Sequence, residues 1–176
     1  GFPVLRQCFT EFVGWTQTTN NPAESDLYGL VEKDGGYVID GQVKPFETRT
    51  ETLKVKQADG TLTDQALVVR KTVHGPVVAE RRGMKIAMRV AALDRPKMFE
   101  QFWKMGLAKN FVEWEAAMRM QQLPLFNTAY ADRDGHIGWQ ASGWFPKRRA
   151  GVSGALPLPA WDARNHWQGF LENWRL

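Results

Sequence analysis

The chain has 176 residues, 43% hydrophobic and 24% charged, which is enough apolar content for a packed core and too much for a disordered chain. Its net charge is +4, with Lys and Arg spread along the chain and small clusters at Arg81–Arg82 and Lys147–Arg149; no long basic stripe interleaves with aromatics, which argues against a nucleic-acid partner. One cysteine, Cys8, and three scattered histidines, His74, His136 and His166, exclude an internal disulfide and argue against a zinc cluster, and no apolar run reaches the ~18 residues of a membrane span.

The first strand-like run holds Val13 and Trp15, then breaks into Thr18, Thr19, Asn20, Asn21 and Pro22 before apolar residues resume at Leu27, Tyr28 and Leu30. Such a break is either a plain turn or a loop that holds its backbone amides toward something. Up to about Leu93 the pattern stays β. Asp40-Gly41 and Asp59-Gly60, each flanked by strand-like residues, predict hairpins, and "MKIAMRV" alternates in the manner of a strand.

The period changes near Arg95. Pro96 suits a helix start, with Phe99, Phe102 and Trp103 expected on one buried side. Asn110 is placed to cap a second helix, with Glu113 three residues on completing a capping box, and Phe111, Trp114, Ala117 and Met118 form its apolar stripe. After Pro124 the pattern returns to β, with a hairpin at Asp134-Gly135, and the Pro/Gly-rich tail predicts a long surface loop. Strands, then helices, then strands predict an α+β fold of mostly antiparallel strands in one piece: β-rich over 1–94, helical over 95–122, β and loop over 123–176. With its "GFPVL" opening and "ENWRL" close, the chain reads as an excised piece of a longer polypeptide.

No self-contained active site emerges from the residues. A triad drawn from Ser25 or Ser142 with His74 and Asp26 has no G-x-S-x-G elbow, and the Glu24/Asp26 pair lacks EF-hand spacing. His74, without an orienting acid, reads as structural.

Four ordered strings point further: "GWTQTTNNPAESDLY", "KTVHGPVV", "FNTAYADRDGHIGWQASGWFPKR" and "LPLPAWDARNHWQGFL". Together they resemble the penicillin acylase family of N-terminal nucleophile hydrolases, most nearly its acyl-homoserine-lactone and aliphatic penicillin acylases. The resemblance implies part of the large subunit of a four-layer αββα sandwich, exported to the periplasm or secreted. Its partners would be the small subunit from the same precursor and the rest of the large one.

The implied reaction is hydrolysis of a linear amide with an apolar acyl chain, without an organic cofactor. A serine at the start of the large subunit attacks the amide, and its own α-amine acts as base. Gly1 has no side-chain nucleophile; the resemblance puts that serine about fifty residues upstream, two or three strands away. The resemblance makes the Thr19 N–H an oxyanion donor; Gln17 and Asn20 beside it either touch substrate or cap the turn, and Trp103 and Phe126 either line an apolar acyl pocket or pack in the core. A second oxyanion donor, an asparagine, is expected beyond Leu176, since Asn173 comes too soon after "WQGF". Asp26 and the Ser25 carbonyl fall at calcium-ligand positions, although Ala23 stands where some relatives have a second aspartate. Two other readings remain open: a non-catalytic β-rich module presenting a flat row of exposed aromatics, and a family member that has kept the scaffold and lost catalysis.

Overall fold

A computed structural model describes residues 4–20, 24–93, 96–123 and 126–171. In chain order the strands are β1 (Cys8–Phe9), β2 (Val13–Thr19), β3 (Ser25–Gly29), β4 (Glu32–Lys33), β5 (Gly36–Ile39), β6 (Gln42–Pro45), β7 (Glu47–Lys56), β8 (Leu62–Thr72), β9 (Gly75–Arg81) and β10 (Met84–Val90). Two helices follow, α1 (Met98–Leu107) and α2 (Phe111–Met118), then β11 (Phe126–Asp132), β12 (Ile137–Ser142) and β13 (Leu158–Pro159). Mostly antiparallel strands with two helices bear out the α+β expectation. The chain divides into two compact units.

The first unit takes the chain up to Glu24, then 91–147, then from Trp167 on. Its sheet has the order β1-β2-β11-β12, antiparallel throughout, with Val13 opposite Asp132 and Thr19 opposite Phe126 in an unbroken register. Side chains alternate between faces along a strand, so Val13, Trp15, Gln17 and Thr19 share one face with Phe126, Thr128 and Tyr130. On that face Val13, Trp15 and Tyr130 pack with Phe102 and Met105 of α1, and with Trp114, Ala117 and Met118 of α2. Trp114 lies against Tyr130 with ring centres 4.4 Å apart.

The capping box is present in modified form. Asn110 Oδ1 accepts from Glu113 N at 2.9 Å, while Glu113 Oε2 accepts from Lys109 N at 2.9 Å rather than from Asn110 N. In α1 the buried side is Gln101, Phe102 and Met105. Phe99 and Trp103, one turn apart, face solvent, and Trp103 is 60% exposed; its expected burial is therefore corrected.

The second unit, 25–90 with 148–166, holds a six-stranded sheet of order β13-β3-β10-β9-β8-β7 and a small sheet β4-β5-β6. Asp40 and Gly41 join β5 to β6 with both φ angles positive (49° and 74°), the conformation an Asp-Gly hairpin demands. The same chemistry at Asp34-Gly35 and at Arg82-Gly83 makes two further hairpins that the sequence reading passed over. Gly75 starts β9 at φ 120°, and a Cβ there would collide with the Met88 carbonyl. His74, buried just before it, stacks on Tyr28 with ring centres 3.9 Å apart, in keeping with a structural role. The tail is not all loop: β13 adds to β3 in parallel, burying Leu158 and Ala160.

Candidate functional site

Thr19 ends β2, and the direction of its N–H follows from the ladder. The Phe12 carbonyl accepts from Arg133 N on the β11 side, whereas the Val13 carbonyl accepts from Thr10 N on the β1 side. The Gln17 carbonyl also turns toward the β1 side, accepting from Gln7 Nε2 at 2.8 Å. Successive residues of an antiparallel strand present their backbone groups to opposite edges. The backbone groups of Val13, Trp15, Gln17 and Thr19 therefore face away from β11, and pairing with β1 has stopped at Trp15. The Thr19 side chain is exposed.

Around Thr19 the helix-side face turns polar. Gln17 is buried opposite Thr128, which is itself opposite Gln140, so the three form a row across β2, β11 and β12. Thr128 Oγ1 and Ser142 Oγ bond at 3.1 Å. Neither end of the buried Gln17 amide has a partner among the described residues. Phe126, half-buried, sits opposite Thr19 and carries the Arg6 guanidinium over its ring at 4.9 Å. Asn20 departs from this group. Its Nδ2 makes a long 3.5 Å contact with Asn127 Oδ1, and Asn127 donates to Thr18 Oγ1 at 3.4 Å on the opposite face.

Of the expected site residues, Gln17, Thr19 and Phe126 thus share one face, and Asn20 turns to the other. Trp103 presents its ring to solvent on α1. Sequence reasoning missed Arg6, Thr128 and Gln140, and named Ser142 only as a member of a triad. A hint for Arg6 was available: a cation set between Leu5 and the strand that follows. Gly1, Ala23 and Asn173 lie outside the described residues, as do Asn21 and Pro22 of the break.

The expected calcium position belongs to the second unit. Asp26 is 1% exposed, and both of its carboxylate oxygens are taken by Arg148, Nε to Oδ2 at 2.8 Å and Nη2 to Oδ1 at 3.0 Å. Gly154 allows this fit, because a Cβ there would collide with the Asp26 carboxylate. Ser25 is an exposed strand residue paired with Val90. Calcium wants six or more oxygens with net negative charge. Here a guanidinium already neutralises the one buried carboxylate, and no cluster of three candidate ligands occurs among the described residues. Asp26 and Ser25 as placed do not fit a calcium shell.

Comparisons with known proteins identify the family of the chain. The family model described as penicillin amidase matches residues 1–175. An acyl-homoserine lactone acylase, QuiP, of Pseudomonas fluorescens is 30% identical over 98% of this chain, which spans 22% of that protein. Penicillin G acylase of Escherichia coli is 29% identical over 90% of the chain and 19% of its own length. The thermostable penicillin G acylase of Alcaligenes faecalis superposes with a TM-score of 0.82 at 19% identity, covering 98% of this chain and 31% of that one. The chain thus spans about a fifth of the length of these curated relatives.

Proposed function

We propose that this chain, which belongs to the penicillin amidase family, supplies one wall and one oxyanion donor of an amide-hydrolysing site. The substrate is a linear amide whose acyl chain runs past the Phe126 ring. Attack on its carbonyl turns the oxygen into an anion. A backbone N–H fixed in advance lowers that barrier, because it needs no reorganisation as the charge forms. The observation that carries this reading is the edge-facing N–H of Thr19 at the end of β2, turned away from the β11 ladder.

The nucleophile, its base and a second oxyanion donor come from other parts of the longer protein. The partners are accordingly the rest of that protein, a small subunit included. Location outside the cytoplasm accords with the secreted setting implied by the resemblance, and no helix of the described residues is long and apolar enough to cross a membrane. The rival reading, a binding module with a flat aromatic row, has less support. On the sheet's other face Phe9 and Trp139 are exposed, but they stand on the two edge strands with Gly14, Thr16, Ala129 and Ala131 between them.

The test is hydrolysis of straight-chain acyl p-nitroanilides. The full-length processed protein should release p-nitroaniline, and residues 1–176 alone should not. Absence of turnover by the processed protein with every acyl length from two to twelve carbons would overturn the reading.

A further inference from the structure

The second unit buries a histidine that the proposed reaction does not use. His74 is 2% exposed, and neither ring nitrogen has a hydrogen-bond partner among the described residues. The Ala160 carbonyl faces it but accepts from His166 Nε2 at 3.2 Å. The backbone that carries the ring is pinned. His74 N donates to Thr72 Oγ1 at 3.1 Å, that hydroxyl donates to the Gly75 carbonyl at 3.1 Å, and Val73 N donates to the Tyr37 hydroxyl at 3.0 Å. The ring lies flat on Tyr28, centres 3.9 Å apart and planes 7° apart, and His166 meets it edge-on at 4.8 Å.

His166 ends a strap, residues 158–166, that closes this side of the unit. Of the strap only Leu158 and Pro159 pair with β3. Beyond them single bonds hold it: Ala160 N to the Gly29 carbonyl at 3.0 Å, Asp40 N to the Trp161 carbonyl at 3.3 Å, and the Tyr28 hydroxyl to the Asn165 carbonyl at 3.1 Å. Tyr28 thus carries the strap at its hydroxyl and His74 on its ring. Short pairing and scattered single bonds mark a segment that opens on its own.

The surroundings are set against a cation at His74. Burial first, then His166 and Arg89, hold its imidazole down to about 4 from the ordinary 6.5, against the Ala160 carbonyl and Asp40, which favour the proton. Tyr28 stays neutral, its phenol pushed up to about 12 chiefly by burial. On the strap, Asp162 faces His166 and pairs with Arg164 at 2.6 Å. Once the strap opens, the His74 ring meets water and takes its proton at the ordinary value. The closed strap therefore has its full strength above about pH 6.5 and loses about tenfold for each pH unit as pH falls toward 4.

We propose that His74 is an acid-sensitive latch: a proton on its ring releases the strap 158–166 from β3 while the rest of the protein stays folded. The proposal stands apart from the amide-hydrolase reading, and its test needs no substrate.

Hydrogen exchange of the full-length processed protein, corrected for the intrinsic effect of pH, follows peptides covering 158–166 against a control over α2. In the wild type, protection of the strap should fall about tenfold or more between pH 7 and pH 5 while α2 keeps its own. His74→Phe keeps a flat ring on Tyr28 without a titrating nitrogen, and His74→Gln keeps polarity without charge. In either, the strap's ratio between the two pH values should stay within about threefold, whatever its absolute protection. Thermal melts at pH 8 show which variants are folded, and one folded variant suffices for the comparison. A wild-type strap whose protection is the same at both pH values overturns the proposal without any variant. Loss of protection in the strap and α2 together overturns it too, since that is general acid unfolding. If His166→Phe abolishes the fall and His74→Phe leaves it, the assignment to His74 is wrong.

Discussion

The two ends of the helix-side face of the four-stranded sheet follow different rules. At one end Val13, Trp15 and Tyr130 are sealed under Trp114, Phe102 and Met105, and the strand residues that line it are largely apolar. Two residues further along the same strands the face carries Gln17, Thr128, Gln140 and Ser142, still buried but polar. Packing alone would favour Leu at Gln17, since burying an amide without partners destabilises. The first end is built for stability. The second tolerates a penalty in the free state, the pattern expected where a ligand supplies the missing partners.

The comparison is best broken from its apolar end. Trp114→Ala removes a 1%-exposed indole that packs on Tyr130. It should cost about 3–5 kcal/mol, read by chemical denaturation of the full-length protein. A loss below about 1 kcal/mol would mean that this end does not hold the unit together. At the polar end the sign reverses. Gln17→Leu replaces an unpartnered amide by a side chain of similar size and should stabilise by roughly 1 kcal/mol while lowering kcat/KM. Destabilisation by Gln17→Leu would show that the amide finds partners in the whole protein, and the contrast between the two ends would then be much smaller than drawn here.

Much of the framework was legible because it is local. The Asp40-Gly41 and Asp134-Gly135 turns and the Asn110 cap depend on residues a few positions apart. The site was legible in part. The polar break after Thr18 is visible in one dimension, and the resemblance gave it a meaning. The misses have physical causes. In α1 two apolar stripes compete, Phe102 with Met105 and Phe99 with Trp103, and periodicity cannot choose which one the sheet will cover. The fate of Asp26 hung on Arg148, a partner 122 residues away, which turned an expected metal ligand into half of a buried ion pair. Arg6 is placed through the Trp15 indole and the Phe126 ring, neither of which is adjacent in sequence.

The central claim is that the Thr19 N–H serves the reaction, and a pair of substitutions in the full-length processed protein tests it. Thr19→Ala keeps the N–H and removes the side chain, whereas Thr19→Pro removes the N–H itself. With acyl p-nitroanilides, Thr19→Pro should lower kcat by about 10²–10³ with KM little changed, the effect of losing one oxyanion donor. Thr19→Ala should stay within about tenfold of wild type by the same logic. A folded Thr19→Pro protein that turns over as fast as Thr19→Ala would contradict the account.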